Sequence, residues 1–385
     1  MKGASRSIIL ALTLYAGFLT YHNVYIYPAS SAASKNSHLT DPVNHSTCPK
    51  CDNTDAKNNP KDTLPVGGSG ALTRDTEVHK HISLPPTPAD LMDAGTRQLY
   101  CFELHGIAST DNIQVVDVKG VRSTERNLKM ALYKSQTDIV SGSLKNEGAW
   151  EYELVKNFWR RVTAAKESPK TGIFLDVGAN VGYWTLVGLD LGYSVLAVEP
   201  MHENVRLLKI TQCLNPQFEG KLTVLPIGLG VKKATCHVMS DNKNVGDGHT
   251  ICGAEALQAF KDGDTLNQYS ERSLVNIAKL DDILDTTQTP IAGMKIDIEG
   301  FERFALSKEG SDRFFSGLHP PKVIGCELYH CFSGKDCDAG DREFIDLMTE
   351  RGFHMQHPIS WSNTADKFEF SDRIALMSDT FLIRE

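Results

Sequence analysis

Asp176-Val177-Gly178-Ala179-Asn180-Val181-Gly182 ends one apolar run and opens an amphipathic one. In an α/β sheet this is where nucleotide-like ligands bind, because glycines let the backbone turn tightly and approach the ligand. The next apolar run ends in Glu199-Pro200, and an acidic residue there can accept hydrogen bonds from both ribose hydroxyls of an adenosine. A dinucleotide fingerprint would need glycine where Asn180 and Tyr183 stand. Asp176, two places before the first glycine, instead suits a ligand with a sulfonium and an amino-acid tail. The candidate cofactor-binding residues are therefore Asp176, Gly178, Ala179, Asn180, Gly182, Glu199 and Pro200.

A second group of residues could act on an acceptor. A hydroxyl nucleophile benefits from losing its proton as the new bond forms. Asp297, assisted by Glu299, is the first candidate, with Glu327 and His330 next. In an extended strand Asp297 and Glu299 share a side, whereas a turn at Gly300 would free Glu299 to cap the following helix. Asp297, Glu327 and His330 could also hold Mn²⁺ or Mg²⁺, since oxygen and imidazole ligands suit those ions. His249 could reach the cleft as part of a lid, or be a solvated loop histidine. Trp361, Phe368 and Phe370 could stack on a sugar face or pack in the core.

These residues need a scaffold. From 98 onward apolar strands alternate with amphipathic helices, which predicts a parallel sheet covered on both faces. Strands are expected at 173–177, 194–199, 222–227, 291–298, 322–329, 353–359 and 374–383. Helices are expected at 150–162, 183–191, 203–214 and 342–351. The reading is a Rossmann-like seven-stranded α/β sheet with helices on both faces, with 241–279 as a polar, irregular insertion.

Residues 8–27 are mostly apolar behind Lys2 and Arg6, as in a signal-anchor, which makes 1–7 a cytoplasmic tail. The small residues Ala29 to Ala33 leave a cleaved signal peptide, and hence secretion, as the rival reading. Residues 28–97 are too polar to form a core and read as a flexible luminal stem. The stem carries the glycosylation acceptor Asn44-His45-Ser46 and the pair Cys48 and Cys51, which suits a local or intermolecular disulfide. This layout resembles a single-pass type II Golgi enzyme. Nine cysteines forbid complete internal pairing, and Cys331 with Cys337 is the first candidate for a local disulfide, against free buried thiols. A net charge of −8 without a basic stripe argues against nucleic acid as the partner.

The run Asp176 to Leu186, Val198-Glu199-Pro200, Leu280-Asp281-Asp282-Ile283 and Met294-Lys295-Ile296-Asp297-Ile298-Glu299-Gly300 together resemble an FkbM-type methyltransferase. The resemblance implies S-adenosylmethionine as methyl donor and a hydroxyl acceptor. With the membrane-and-stem layout, it leads to an O-methyltransferase acting on a sugar or glycan in the secretory pathway. A lipid or small secondary metabolite is the alternative acceptor. A catalytically silent binding module is the alternative class.

Overall fold

The computed structural model describes residues 112–327, 339–356 and 379–384, with Cys101 and Gly106, apart from gaps at 124, 136 and 166–171. The expected tail, anchor and stem, the Cys331–Cys337 pair, His330, Trp361, Phe368 and Phe370 lie outside these residues. Among the described residues no helix is long and apolar enough to cross a membrane.

The chain begins with a hairpin, β1 (Ile113–Lys119) and β2 (Arg126–Tyr133), then α1 (Ile139–Glu147) and α2 (Tyr152–Ala164). The strand–helix alternation follows as β3 (Ile173–Val177), α3 (Tyr183–Asp190), β4 (Ser194–Val198), α4 (His202–Leu214) and β5 (Leu222–Leu225). Next come β6 (Ile227–Leu229), β7 (Ala234–Asp241), β8 (Gly248–Ile251), α5 (Ala254–Gly263) and β9 (Tyr269–Ala278). After α6 (Leu280–Ile283) the chain returns as β10 (Ile291–Ile296), α7 (Glu302–Ala305), α8 (Lys308–Ser316) and β11 (Val323–Glu327). It closes with α9 (Ala339–Glu350), β12 (Phe353–Gln356) and β13 (Asp379–Arg384).

Seven strands form the main sheet in the order β12-β13-β11-β10-β3-β4-β5. From β11 to β5 they run parallel, and β13 is antiparallel to both its neighbours. Side chains divide by alternation. Phe174, Val195 and Ala197 face one apolar layer, while Leu175, Val177, Leu196 and Val198 face the other. On the first face α2 buries Val155, Phe158, Trp159 and Val162, a stripe at helical spacing, with α3, α4 and the hairpin beside it. On the second face lie α6, α8 and α9, through Leu280, Phe314, Phe315, Phe344 and Met348.

The region 241–279 is not irregular. With β6 and β7 it builds a four-stranded sheet in the order β6-β9-β7-β8. Its polar composition reflects one-sided burial: Cys236 and Val238 of β7 and Val275 and Ile277 of β9 face inward, with polar residues between them. Two disulfides join cysteines for which the sequence suggested no partner. Cys101–Cys213 ties the N-terminal segment to α4, and Cys236–Cys252 clips β7 to the residue after β8. Among the described cysteines Cys326 alone is a free, buried thiol.

Candidate active site

The order of connection reverses between the parallel neighbours β3 and β10, which pair through Asp176 with Lys295 and Val177 with Ile296. At such a switch point the carboxyl ends of the strands leave a crevice. The crevice opens to solvent, and about 600 Å³ of non-protein space lies in and above it. Its walls include Gly178, Asn180, Glu199, Asp247, Asp297 and Glu299.

The turn after β3 is fixed by backbone bonds from Gly178 and Ala179 to the Val198 carbonyl. Gly178 has φ +71°, and a Cβ there would overlap the carbonyl oxygen of Asp297, so this glycine serves the approach of two strand ends. Gly182, at φ +94°, lies against Leu208 of α4 rather than the crevice. Asn180 also adopts a left-handed backbone, at φ +52°. Ala179 is buried, while Pro200 lines the crevice.

Glu199 is 4% exposed and heavily engaged. Asn180 N donates to its Oε2 at 2.8 Å, and Met201 N and Asn204 Nδ2 donate to Oε1 at 2.9 and 3.3 Å. Burial pushes its carboxyl up to about 7 against the pull of these donors. Asn204 also donates to the Gly246 carbonyl and accepts from the Tyr133 hydroxyl. Asp138, the N-cap of α1, accepts from Gly246 N at 2.8 Å. A buried polar strut thus runs from Glu199 through Asn204 to the hairpin and to the loop before β8.

Asp176 lies beneath the crevice instead of lining it. It is fully buried and accepts from Thr185 Oγ1 at 2.6 Å, and burial raises its pKa. Lys295 joins the two halves of the site. Its Nζ donates to the Gly178 carbonyl at 2.5 Å and lies 3.3 Å from Asp297 Oδ2. Burial opposes its charge, but Asp297 and Asp176 overcome this and raise its pKa.

Asp297 and Glu299 do not share a face. β10 ends at Ile296, and Glu299 takes a left-handed backbone with φ +56°. Glu302, not Glu299, caps the turn, accepting from Ile298 N at 2.6 Å and Gly300 N at 3.4 Å. Asp297 faces Glu327, whose carboxyl is driven well above the usual range by burial and then by Asp297. Asp379 pairs in register with Glu327 across the sheet and is pushed up to about 6, mainly by burial. Glu151 completes the group. It keeps solvent contact, yet crowding by protein atoms and then Asp379 and Asp297 raises its pKa.

Asp297 and Glu327 stand beside one another in the structure, and the third expected metal ligand, His330, lies outside the described residues. Lys295, Glu151, Asp379, Asn204 and Asp247 were missed. Only Lys295 carried a signal, a lone charge inside the apolar run 291–296.

Residues 176–355 match the family model for the methyltransferase FkbM domain. That stretch is identified as a methyltransferase FkbM domain. No curated protein matches the chain. Among solved structures, an RNA methyltransferase candidate from Pyrococcus horikoshii is similar at a TM-score of 0.26 and 13% identity, over 53% of this chain and 70% of that one. A transferase candidate from the same organism gives 0.30 and 10%, over 71% and 73%. A SAM-dependent methyltransferase from Agrobacterium tumefaciens gives 0.22 and 11%, over 31% and 33%. At these scores the likenesses say nothing about the substrate of the FkbM domain.

Proposed function

We propose that the FkbM domain transfers the methyl group of S-adenosylmethionine to a hydroxyl of a sugar or glycan in the secretory pathway, most naturally as a membrane-held Golgi enzyme. The observation that carries the reading is the division of the crevice. Glu199, wired to the turn of Asn180, lines one wall, and the Asp297 group stands on the other. The crevice suits the donor: its lining is acidic where a cationic ligand would lie, and its turn brings backbone within reach.

S-adenosylmethionine supplies an activated methyl group, so alignment of the acceptor is the protein's main task. Glu199 retains lone-pair capacity for a ribose hydroxyl beyond its three protein donors. Lys295 fixes the Asp297 carboxylate beside the turn. Asp297 accepts the proton of the incoming hydroxyl, and Glu327 and Asp379 share the charge around it. An acidic base group favours a hydroxyl over an already nucleophilic amine.

Two disulfides support an oxidising compartment. An acidic crevice in a chain of net charge −8 speaks against a phosphate backbone as acceptor. Full-length protein purified from a secretory host should move labelled methyl onto at least one member of a panel of free sugars, nucleotide sugars and glycolipids. Methylation of the lipid moiety alone, or of none of the panel, would overturn the sugar assignment.

A further inference from the structure

The geometry points to a divalent-cation site on the roof of the crevice, formed by Asp247, His249 and Glu299. One ligand atom from each lies within 4.8 Å of the other two. Ligands bind first-row ions at about 2.0–2.3 Å, so at tetrahedral angles neighbouring ligand atoms sit about 3.3–3.8 Å apart. The three atoms therefore need to close by about an ångström, within the reach of side-chain rotation. An imidazole beside two carboxylates suits Mn²⁺ or Zn²⁺ better than an all-oxygen ion such as Ca²⁺.

The triad is assembled from two directions. Asp247 stands just before β8, and His249 lies two residues on, 95% buried, with Nε2 3.9 Å from Asp247 Oδ1. Glu299 comes from the turn after β10, and its Oε2 is buried without a hydrogen-bond partner among the described residues. An unpaired carboxylate oxygen in such a place is costly. Among the described residues neither Asp247 nor Glu299 pairs with a lysine or arginine. Lys295 is turned to Gly178 and Asp297, and Arg272 to Ser240, Asp241 and Asn242. Among the described residues two carboxylates thus face one another with only the His249 imidazole beside them, and a dication would balance their charge.

The surrounding structure holds the ligands in place. Asn244 donates to Asp247 Oδ2 at 3.1 Å, the ring of Tyr269 packs against His249, and Cys252 clips the end of β8 to Cys236. Asp247 and Glu299 both line the crevice, so the open coordination positions of a three-ligand ion face a bound molecule. The site is distinct from the Asp297 group and does not depend on the methyl-transfer reading.

The test is direct metal binding by the full chain, disulfides intact, after chelation. Electron paramagnetic resonance of free Mn²⁺ reads stoichiometry and affinity, and the visible spectrum of Co²⁺ reads imidazole ligation. We expect one saturable site, weakened about tenfold or more by Asp247→Asn and by Glu299→Gln. His249→Gln should abolish the imidazole signature in Co²⁺, and Asp297→Asn should leave the site intact. Because Asp247→Asn keeps size and shape, it decides the matter even if His249→Gln fails to fold. No saturable binding, binding unchanged in Asp247→Asn, or loss in Asp297→Asn alone would each overturn the proposal.

Discussion

Asn180 donates its backbone N–H to Glu199 across 2.8 Å, locking the turn after β3 to the end of β4. One carboxylate therefore shapes the turn and lines the crevice. Glu199→Ala should weaken donor affinity about tenfold or more. Asp297→Asn should leave donor affinity nearly unchanged while turnover falls about 10²-fold or more. Calorimetry with S-adenosylmethionine and single-turnover methyl transfer separate the two. Equal damage to donor binding would refute the division of roles.

The unliganded protein should lose stability as pH rises from about 5 to 7. Glu199 and Glu302 are both buried with carboxyls pushed up to about 7. In the unfolded chain they titrate near 4.5, so between the two values the folded state holds more protons, and stability falls with rising pH. The change levels off above the folded values. Each group is worth roughly 3 kcal/mol at most. Glu199→Gln should flatten the profile in urea titrations at several pH values. A stability maximum near neutrality with wild-type Glu199 would contradict this.

Lys295→Met should destabilise the fold by about 3–5 kcal/mol, since it strands the buried Asp176 carboxyl without its cation. Turnover should fall as well, through the freed Asp297. Lys295→Arg should not rescue either, because the planar guanidinium cannot replace a compact ammonium between the Gly178 carbonyl and Asp297. Denaturant midpoints and kcat read both effects.

Replacing Cys236 and Cys252 together by alanine should cost about 3 kcal/mol, the chain-entropy figure for a loop of this length, where the separation is 16 residues. Replacing Cys101, whose partner is 112 residues away, should cost more in the same model. Thermal unfolding with and without reductant checks the order.

Much of the main sheet was legible because its strands are short apolar runs bounded by turn residues. Phe174 and Leu175, or Val195 and Leu196, must bury opposite faces, and no loop could do so. The Asp176–Gly182 turn was legible for the same reason, since glycine and asparagine occupy its left-handed positions. The roof was less legible. Cys236, Val238, Val275 and Ile277 alternate with polar residues, a pattern diluted by the polar loop before β8. Lys295 was visible as a charge but not as a staple, because its partners at Gly178 and Asp297 meet only once β3 and β10 pair. Asp138 and Tyr133 gave no local hint that they brace Asn204, since that contact spans distant segments.

The strut of Tyr133, Asn204, Asp138 and Gly246 has a practical corollary. The family match starts at 176, yet two of the four bracing residues precede it, and Cys101 anchors α4 from further upstream still. A fragment trimmed to the matched stretch would lose two braces of the crevice and the disulfide that pins α4.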